Sequence, residues 1–338
     1  MEKKTNNKLK IGFSIGDYNG IGPEILLKVF SKYNLFEKCT PIVFCSKEVL
    51  NYYKEILGIQ ININGIENLL NDLKENEINC YFDEKIKLNI KPGNIDNSAG
   101  KYSELSLYKS LKSYKNDLID CLITLPISKI NIHSETFKYP GHTEFLESEF
   151  VNSKSMMIMH SKDIIIGFVT GHIPVIDINK YIHKDYISEK FDLFINSLKN
   201  DFKIIKPKIA VLGLNPHSGE DGLLGKEEKN IIKPLINKFN KKNKLLFGPY
   251  SSDSFFGLKT YKKFDGVISF YHDQGLVGFK SISFDNGVNY TSGLPIIRSS
   301  PDHGTAFNIA GKGIANELSL LNSILLNIEV FDNRKFNK

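Results

Sequence analysis

Residues 208–217 read KIAVLGLNPH. An apolar run of strand length breaks at Gly213 into a turn, and a histidine stands where the turn ends. The same grammar recurs in IIIGFVTGH (164–172) and in GVISFYH (266–272). Outward from these three, short apolar runs alternate with helical patterns along the whole chain. Strands are expected at Ile11–Ile15, Pro41–Cys45, Cys121–Leu125, Met156–Met159, Ile164–Thr170, Lys208–Leu214, Leu245–Phe247 and Gly266–Tyr271. Helices are expected at Pro23–Tyr33, Lys47–Leu57, Ser103–Tyr114, Thr143–Phe150, Lys184–Leu198, Lys226–Phe239 and Ser254–Phe264. This alternation predicts an α/β fold with mainly parallel sheets covered on both faces. Met156–Thr170 is the expected exception, with Ser161-Lys162-Asp163 turning an antiparallel hairpin.

The size and composition limit the function classes. A chain of 338 residues with 24% charged and 41% hydrophobic residues is a folded protein of about two domains. Four cysteines without CxxC spacing do not make a disulfide framework and point to a reducing compartment, the cytoplasm. The net charge of +6 does not read as a nucleic-acid footprint. Only two of the 44 basic residues are arginine, Arg298 and Arg334, and the lysines are spread throughout. The basic start, MEKKTNNKLK, runs into a glycine-broken apolar stretch too short for a signal peptide. No window approaches the ~18 apolar residues of a membrane span. Neither nucleic acid nor membrane is expected as a partner.

Four features carry chemistry. Gly16-Asp17-Tyr18-Asn19-Gly20-Ile21-Gly22-Pro23-Glu24 follows the first strand and admits two readings: an anion-receiving helix start, or an ordinary strand–helix turn. It lacks the third glycine of a dinucleotide fingerprint, Ile25 standing there. In Tyr139-Pro140-Gly141-His142-Thr143-Glu144-Phe145 a turn opens a helix, where His142 and Thr143 present an imidazole and a hydroxyl, or Thr143 simply caps the helix. His172, His217 and His272 each close a strand, the place where open α/β sheets bind ligands. Three neutral imidazoles there would suit a divalent metal. His133, His160 and His183 lie in polar surroundings and read as surface residues. In the last third, Lys280 and Arg298 suggest a doubly anionic small substrate, Arg298 because a forked cation suits carboxylate or phosphate.

GDYNGIGPE, GHTEF, GLNPHSGEDGLLGKEE, YHDQGL and GLPIIRSSPDHGTA together resemble the 4-hydroxythreonine-4-phosphate dehydrogenase family, over positions 16 to 311. The resemblance implies two α/β/α domains around a cleft, similar to isocitrate and isopropylmalate dehydrogenases. Residues 1–133 with 297–338 would form one domain and 134–296 the other. It implies an NAD- or NADP-linked oxidation of 4-phosphooxy-L-threonine, dependent on a divalent metal (zinc, magnesium or cobalt), with loss of carbon dioxide to give 3-amino-2-oxopropyl phosphate. Carried over residue by residue, His172, His217 and His272 would hold the metal. His142, Thr143, Lys280, Asn289 and Arg298 would contact substrate; the proton acceptor is not assigned by the resemblance, and Asp253 and Asp273, which lie in the right motifs, are candidates for it or for a structural role. A homodimer with the site at the subunit interface is implied as well. The nearest rival is a family member acting on a sugar-acid phosphate such as threonate 4-phosphate. A phosphate-handling transferase is a more distant one. The chain departs from the family pattern at Tyr18-Asn19 (commonly Pro-Ala), at Ser218 (commonly Ala) and at Val277-Gly278-Phe279, where a proline is common.

Overall fold

The computed structural model describes residues 8–82, 86–241 and 243–335. The lysines at positions 3 and 4 and the outermost ends of the expected first domain lie outside the described residues. In chain order the strands are β1 (Leu9–Ser14), β2 (Cys39–Phe44), β3 (Ile63–Ile66), β4 (Ile78–Tyr81), β5 (Cys121–Thr124) and β6 (Met156–His160). There follow β7 (Ile165–Phe168), β8 (Ile209–Leu212), β9 (Leu246–Tyr250), β10 (Gly266–Ser269), β11 (Val288–Ser292) and β12 (Arg298–Pro301). The helices are α1 (Gly22–Lys32), α2 (Lys47–Leu57), α3 (Asn97–Lys115), α4 (Lys129–Ile132) and α5 (His142–Glu149). Later come α6 (Lys184–Asn196), α7 (Lys233–Phe239), α8 (Ser252–Gly257), α9 (His272–Ile282) and α10 (Leu318–Lys335).

The chain forms two compact units. The first runs through Leu146 and takes up Ile296–Ile328. Its strands lie in the order β3-β4-β2-β1-β5-β12, and every pair is parallel. The first part of α5, through Leu146, belongs to this unit, where Phe145 packs on Tyr108, Phe137 and Tyr139 with ring centroids 4.9–5.5 Å apart. The second unit, Glu147–Pro295 with residues from Glu329 on, has the order β11-β6-β7-β10-β8-β9. There β6 and β7 form the expected antiparallel hairpin, β11 runs antiparallel to β6, and β7, β10, β8 and β9 are parallel. No helix among the described residues is long and apolar enough to cross a membrane.

In the first unit the glycine-rich turn after β1 is structural. Every residue from Ile11 to Phe30 is buried. Gly16 has φ +66°, and a Cβ there would stand 2.2 Å from the Pro126 carbonyl, so no other residue fits. Asp17 accepts from the Asn19 amide (2.9 Å) and from Asn131 Nδ2 (2.7 Å). Burial raises its pKa despite those two bonds. Glu24 takes the amides of Gly311 (3.0 Å) and Ala315 (2.9 Å) and pairs with Lys28 at 3.0 Å, while Lys28 also donates to the Gly313 and Ala315 carbonyls. A buried ion pair is tolerable when its remaining donors and acceptors are filled, as they are here. The helix start therefore organises the segment before α10 and offers no open anion site. Tyr18-Asn19, the first departure from the family pattern, serves the same packing. Tyr18 meets the Tyr102 ring edge-on at 5.3 Å, and Asn19 accepts the Lys91 amide through Oδ1 and the Gly93 amide through its carbonyl.

The strands β3, β4, β11 and β12 and the helices α4, α9 and α10 are absent from the sequence expectation. INGI, INCY, VNYTS and RSSP are too polar to read as buried strands. In β12 all four residues are nonetheless buried, with Ser299 and Ser300 donating to the Ser323 and Thr124 carbonyls. In α9, Gly275 weakens the helical pattern. It is required, because a Cβ there would stand 2.6 Å from Ser269 Oγ and 2.8 Å from the Phe168 ring.

His160 corrects the surface reading of that residue. It closes β6, its ring lies 4.9 Å from that of Phe202, and burial lowers its pKa to about 4. Between about pH 6.5 and 4 the unfolded chain takes up a proton at this imidazole and the folded chain does not, so stability falls as the pH falls through that window. The expected loss is about 3 kcal/mol across the window. Urea unfolding of His160→Phe at pH 7 and pH 4 should show that share of the loss removed; an unaltered pH dependence would contradict the assignment.

Candidate active site

Three neighbouring parallel strands of the second unit, β7, β10 and β8, end at one edge of the sheet. Each is followed by one of the three histidines: His172 after β7, His272 after β10, His217 after β8. Adjacent strands lie about 4.8 Å apart, so the backbone brings distant sequence positions into one row. The His172 and His272 rings stand 5.3 Å apart. His272 begins α9, and its Nδ1 lies 2.6 Å from Asp273 Oδ1. That carboxylate fixes the ring with Nε2 as the lone-pair nitrogen, the arrangement usual for a metal-ligating histidine. His217 lies along a 320 Å³ cavity with Asp253, Tyr271 and Gln274. Among the described residues, no three His, Cys, Asp or Glu side chains are gathered closely enough to hold an ion as they stand. The donor chemistry still fits a divalent cation, with three imidazoles on adjacent strand ends and one already oriented.

The two aspartates have different surroundings. Asp273 is engaged with His272. Asp253 is exposed, and the Ser251 hydroxyl (2.5 Å), the Ser254 amide and the nearby His217 hold its pKa below the usual carboxylate value. A carboxylate so stabilised is a poor proton acceptor near neutral pH.

The turn that carries His217 is held in an uncommon shape. His217, Ser218, Gly219, Glu220 and Asp221 all have positive φ, between 39° and 75°. Left-handed backbone costs on the order of 1 kcal/mol or more per non-glycine residue. The compensation comes from Glu228, which is buried and accepts the Asn215 amide (2.7 Å) and Asn215 Nδ2 (3.0 Å). Gly219 lies so close to that carboxylate that a Cβ would stand 2.6 Å from it. Ser218, another departure from the family pattern, has its hydroxyl buried with no hydrogen-bond partner.

In the first unit the structure brings Arg298 and Thr143 together. Arg298 opens β12 beside Leu122 of β5, and its side chain is 2% exposed. Nε and Nη2 donate to Thr124 Oγ1 (3.2 and 2.5 Å), and Nη1 donates to Thr143 Oγ1 at 3.4 Å. Burial lowers its pKa to about 10, with Glu144 opposing, so the guanidinium stays charged at neutral pH. His142 is neutral there, because burial, Arg298 and Lys129 hold its pKa well below the usual value. Its Nε2 is buried without a hydrogen-bond partner. In the second unit, Asn289 of β11 has its Oδ1 buried without a partner. Lys280 lies about 12 Å along α9 from His272, near Val277 and Phe284 and away from the histidine row. Thr124, Gln274 and Glu228 were not among the sequence candidates. Only the last two lie in motifs that could have drawn attention to them.

The family model for "Pyridoxal phosphate biosynthetic protein PdxA" matches residues 37–327. The chain belongs to this family. It is 44% identical over 337 residues to the 4-hydroxythreonine-4-phosphate dehydrogenase of Bacteroides thetaiotaomicron, covering 98% of this chain and 91% of that one. A putative D-threonate 4-phosphate dehydrogenase of Clostridium botulinum is 32% identical over 327 residues, 95% of this chain and 96% of its own. Among solved structures, the 4-hydroxythreonine-4-phosphate dehydrogenase of Klebsiella pneumoniae superposes with a TM-score of 0.81 at 27% identity, covering 98% and 99% of the two chains. A β-decarboxylating dehydrogenase of Thermococcus kodakarensis, 14% identical with a TM-score of 0.50 over 94% and 81% of the chains, shares the fold alone.

Within this PdxA-family chain the Glu228 carboxylate is the expected support of the His217 turn. Glu228→Ala leaves the half-buried Asn215 amide without its acceptor, at a cost of about 1 kcal/mol. Urea unfolding should show that loss, and limited proteolysis should cut faster between residues 215 and 225. Unchanged stability and protection would contradict the role.

Proposed function

We propose that the chain is a 4-hydroxythreonine-4-phosphate dehydrogenase. It oxidises the C3 hydroxyl of 4-phosphooxy-L-threonine with NAD or NADP, and the 3-oxo acid loses carbon dioxide to give 3-amino-2-oxopropyl phosphate for vitamin B6 biosynthesis. The observation that carries this reading is the row of His172, His272 and His217 on three adjacent strand ends. It occurs in a chain 44% identical, over nearly its full length, to a dehydrogenase of that name.

In this reading His172, His217 and His272 hold a divalent ion, zinc, magnesium or cobalt. When bound, the ion supplies Lewis-acid polarisation of the substrate oxygen and the nicotinamide supplies a hydride acceptor. Asp273 keeps the His272 ring in its ligating tautomer. Arg298 receives the phosphate in a buried, hydroxyl-lined site where a forked cation is strongest. His142 and Thr143 add a neutral imidazole and a hydroxyl beside it, and Asn289 offers a buried acceptor to a substrate donor. Lys280 stands far from the histidines along α9, among exposed Val277 and Phe284. In this reading Lys280 serves the site of a second copy, and the active species is a homodimer. Four buried cysteines without disulfides, Cys39 pushed by burial to about 12, suit the cytoplasm.

The threonate-type reading is carried by the 32% relative and differs only around the substrate amine. Steady-state turnover of 4-phosphooxy-L-threonine and of threonate 4-phosphate, with both nicotinamides and a panel of divalent ions, separates the two. The first substrate should be preferred; a large preference for the second would replace the reading. Arg298→Lys should raise the substrate KM at least tenfold with little change for the nicotinamide, and an unchanged substrate KM would exclude the guanidinium from the site.

A further inference from the structure

We propose that Gln274 is the positioning residue of the histidine row, locking together the strand ends that carry His272, His217 and Asp253. The inference rests on the metal-site reading above. Gln274 is the third residue of α9, and its side chain turns back across the sheet edge. Oε1 accepts the Phe270 amide at 2.7 Å, two residues before His272. Nε2 donates to the Gly213 carbonyl, four residues before His217, and to Ser252 Oγ at 2.9 Å, one residue before Asp253. One amide thus fastens the ends of β10, β8 and β9.

The chemistry needs this residue type. The position asks for one acceptor and two donors on a single planar group, which glutamine has and glutamate and lysine lack. Asparagine is a methylene shorter and would not span to β8 and β9. A glutamine at the third helical position also has a local role, since such side chains fold back onto amides at the helix start. Here that habit is extended, the far side of the same amide holding two further strands. Gln274 faces the cavity shared by His217, Asp253 and Tyr271, yet needs no contact with substrate to act. A ligand set spread over separate loops depends on such a tie, because small shifts of any one strand end would move an imidazole out of reach.

The test uses the full chain, freed of metal with a chelator and titrated with Zn(II) alone and with Co(II) alone. Thermal unfolding is measured in parallel. Gln274→Glu places a carboxylate oxygen against the Gly213 carbonyl. It should weaken metal affinity about 10- to 100-fold and alter the Co(II) absorption spectrum, with the metal-free variant still folded. Ser252→Ala removes one of the three bonds, and should weaken affinity several-fold even if the first variant fails to fold. Parent-like affinity and spectrum in either folded variant would overturn the inference. If the parent binds metal, His272→Ala abolishes that binding, and no phosphorylated hydroxy acid is turned over, then the proposed function fails and the role of Gln274 stands. A parent that takes up neither ion overturns both.

Discussion

Parallel pairing of β7, β10 and β8 is the constraint on which the site depends. Because the three strands run in one direction, their carboxyl ends fall on one edge, and the loop leaving each strand becomes a neighbour of the loops leaving the other two. His172, His272 and His217 are neighbours for this reason alone, being 45 to 100 residues apart in the chain. His160 shows the converse. It also closes a strand, but β6 runs antiparallel to β7, so His160 stands at the opposite edge and packs on Phe202. Strand direction, more than residue type, separates a candidate ligand from a half-buried packing histidine here.

Holding side chains at that edge carries a conformational cost, and the surrounding contacts offset it. Five successive left-handed residues would not persist in an isolated loop. They are held through Asn215, fixed by the buried Glu228 carboxylate. His272 is oriented by Asp273, and its strand end is tied to the next two by Gln274. In the first unit the same logic surrounds Arg298. Thr124 and Thr143 hydroxyls accept from its guanidinium, Glu144 opposes the loss of charge on burial, and the cation is kept. Glu228, Gln274 and Arg298 are thus each satisfied by named partners, whereas His142 Nε2, Ser218 Oγ and Asn289 Oδ1 stay buried without one.

The α/β alternation, most strand positions, the β6–β7 hairpin and the placement of three histidines after apolar runs were legible in the sequence, because local hydrophobic period and turn residues specify them. Polar strands such as RSSP of β12 were not legible, since only their tertiary neighbours bury and satisfy them. The glycine-rich turn after β1 left two readings open, and burial of every residue in it decides for structure over anion binding. Family membership rested on motifs spread along the chain, which sequence holds in full.

The sequence determined by itself the kind of chemistry: imidazoles at strand ends, one arginine set among polar small residues, and a basic charge spread too evenly to mark a nucleic-acid surface. Only the tertiary structure decided which of those groups meet. Strand order is set by which edges pair across tens of residues, and no local signal encodes it. The adjacency of the His172 and His272 rings, the left-handed turn under His217 and the reach of Gln274 across three strands all arise from that order.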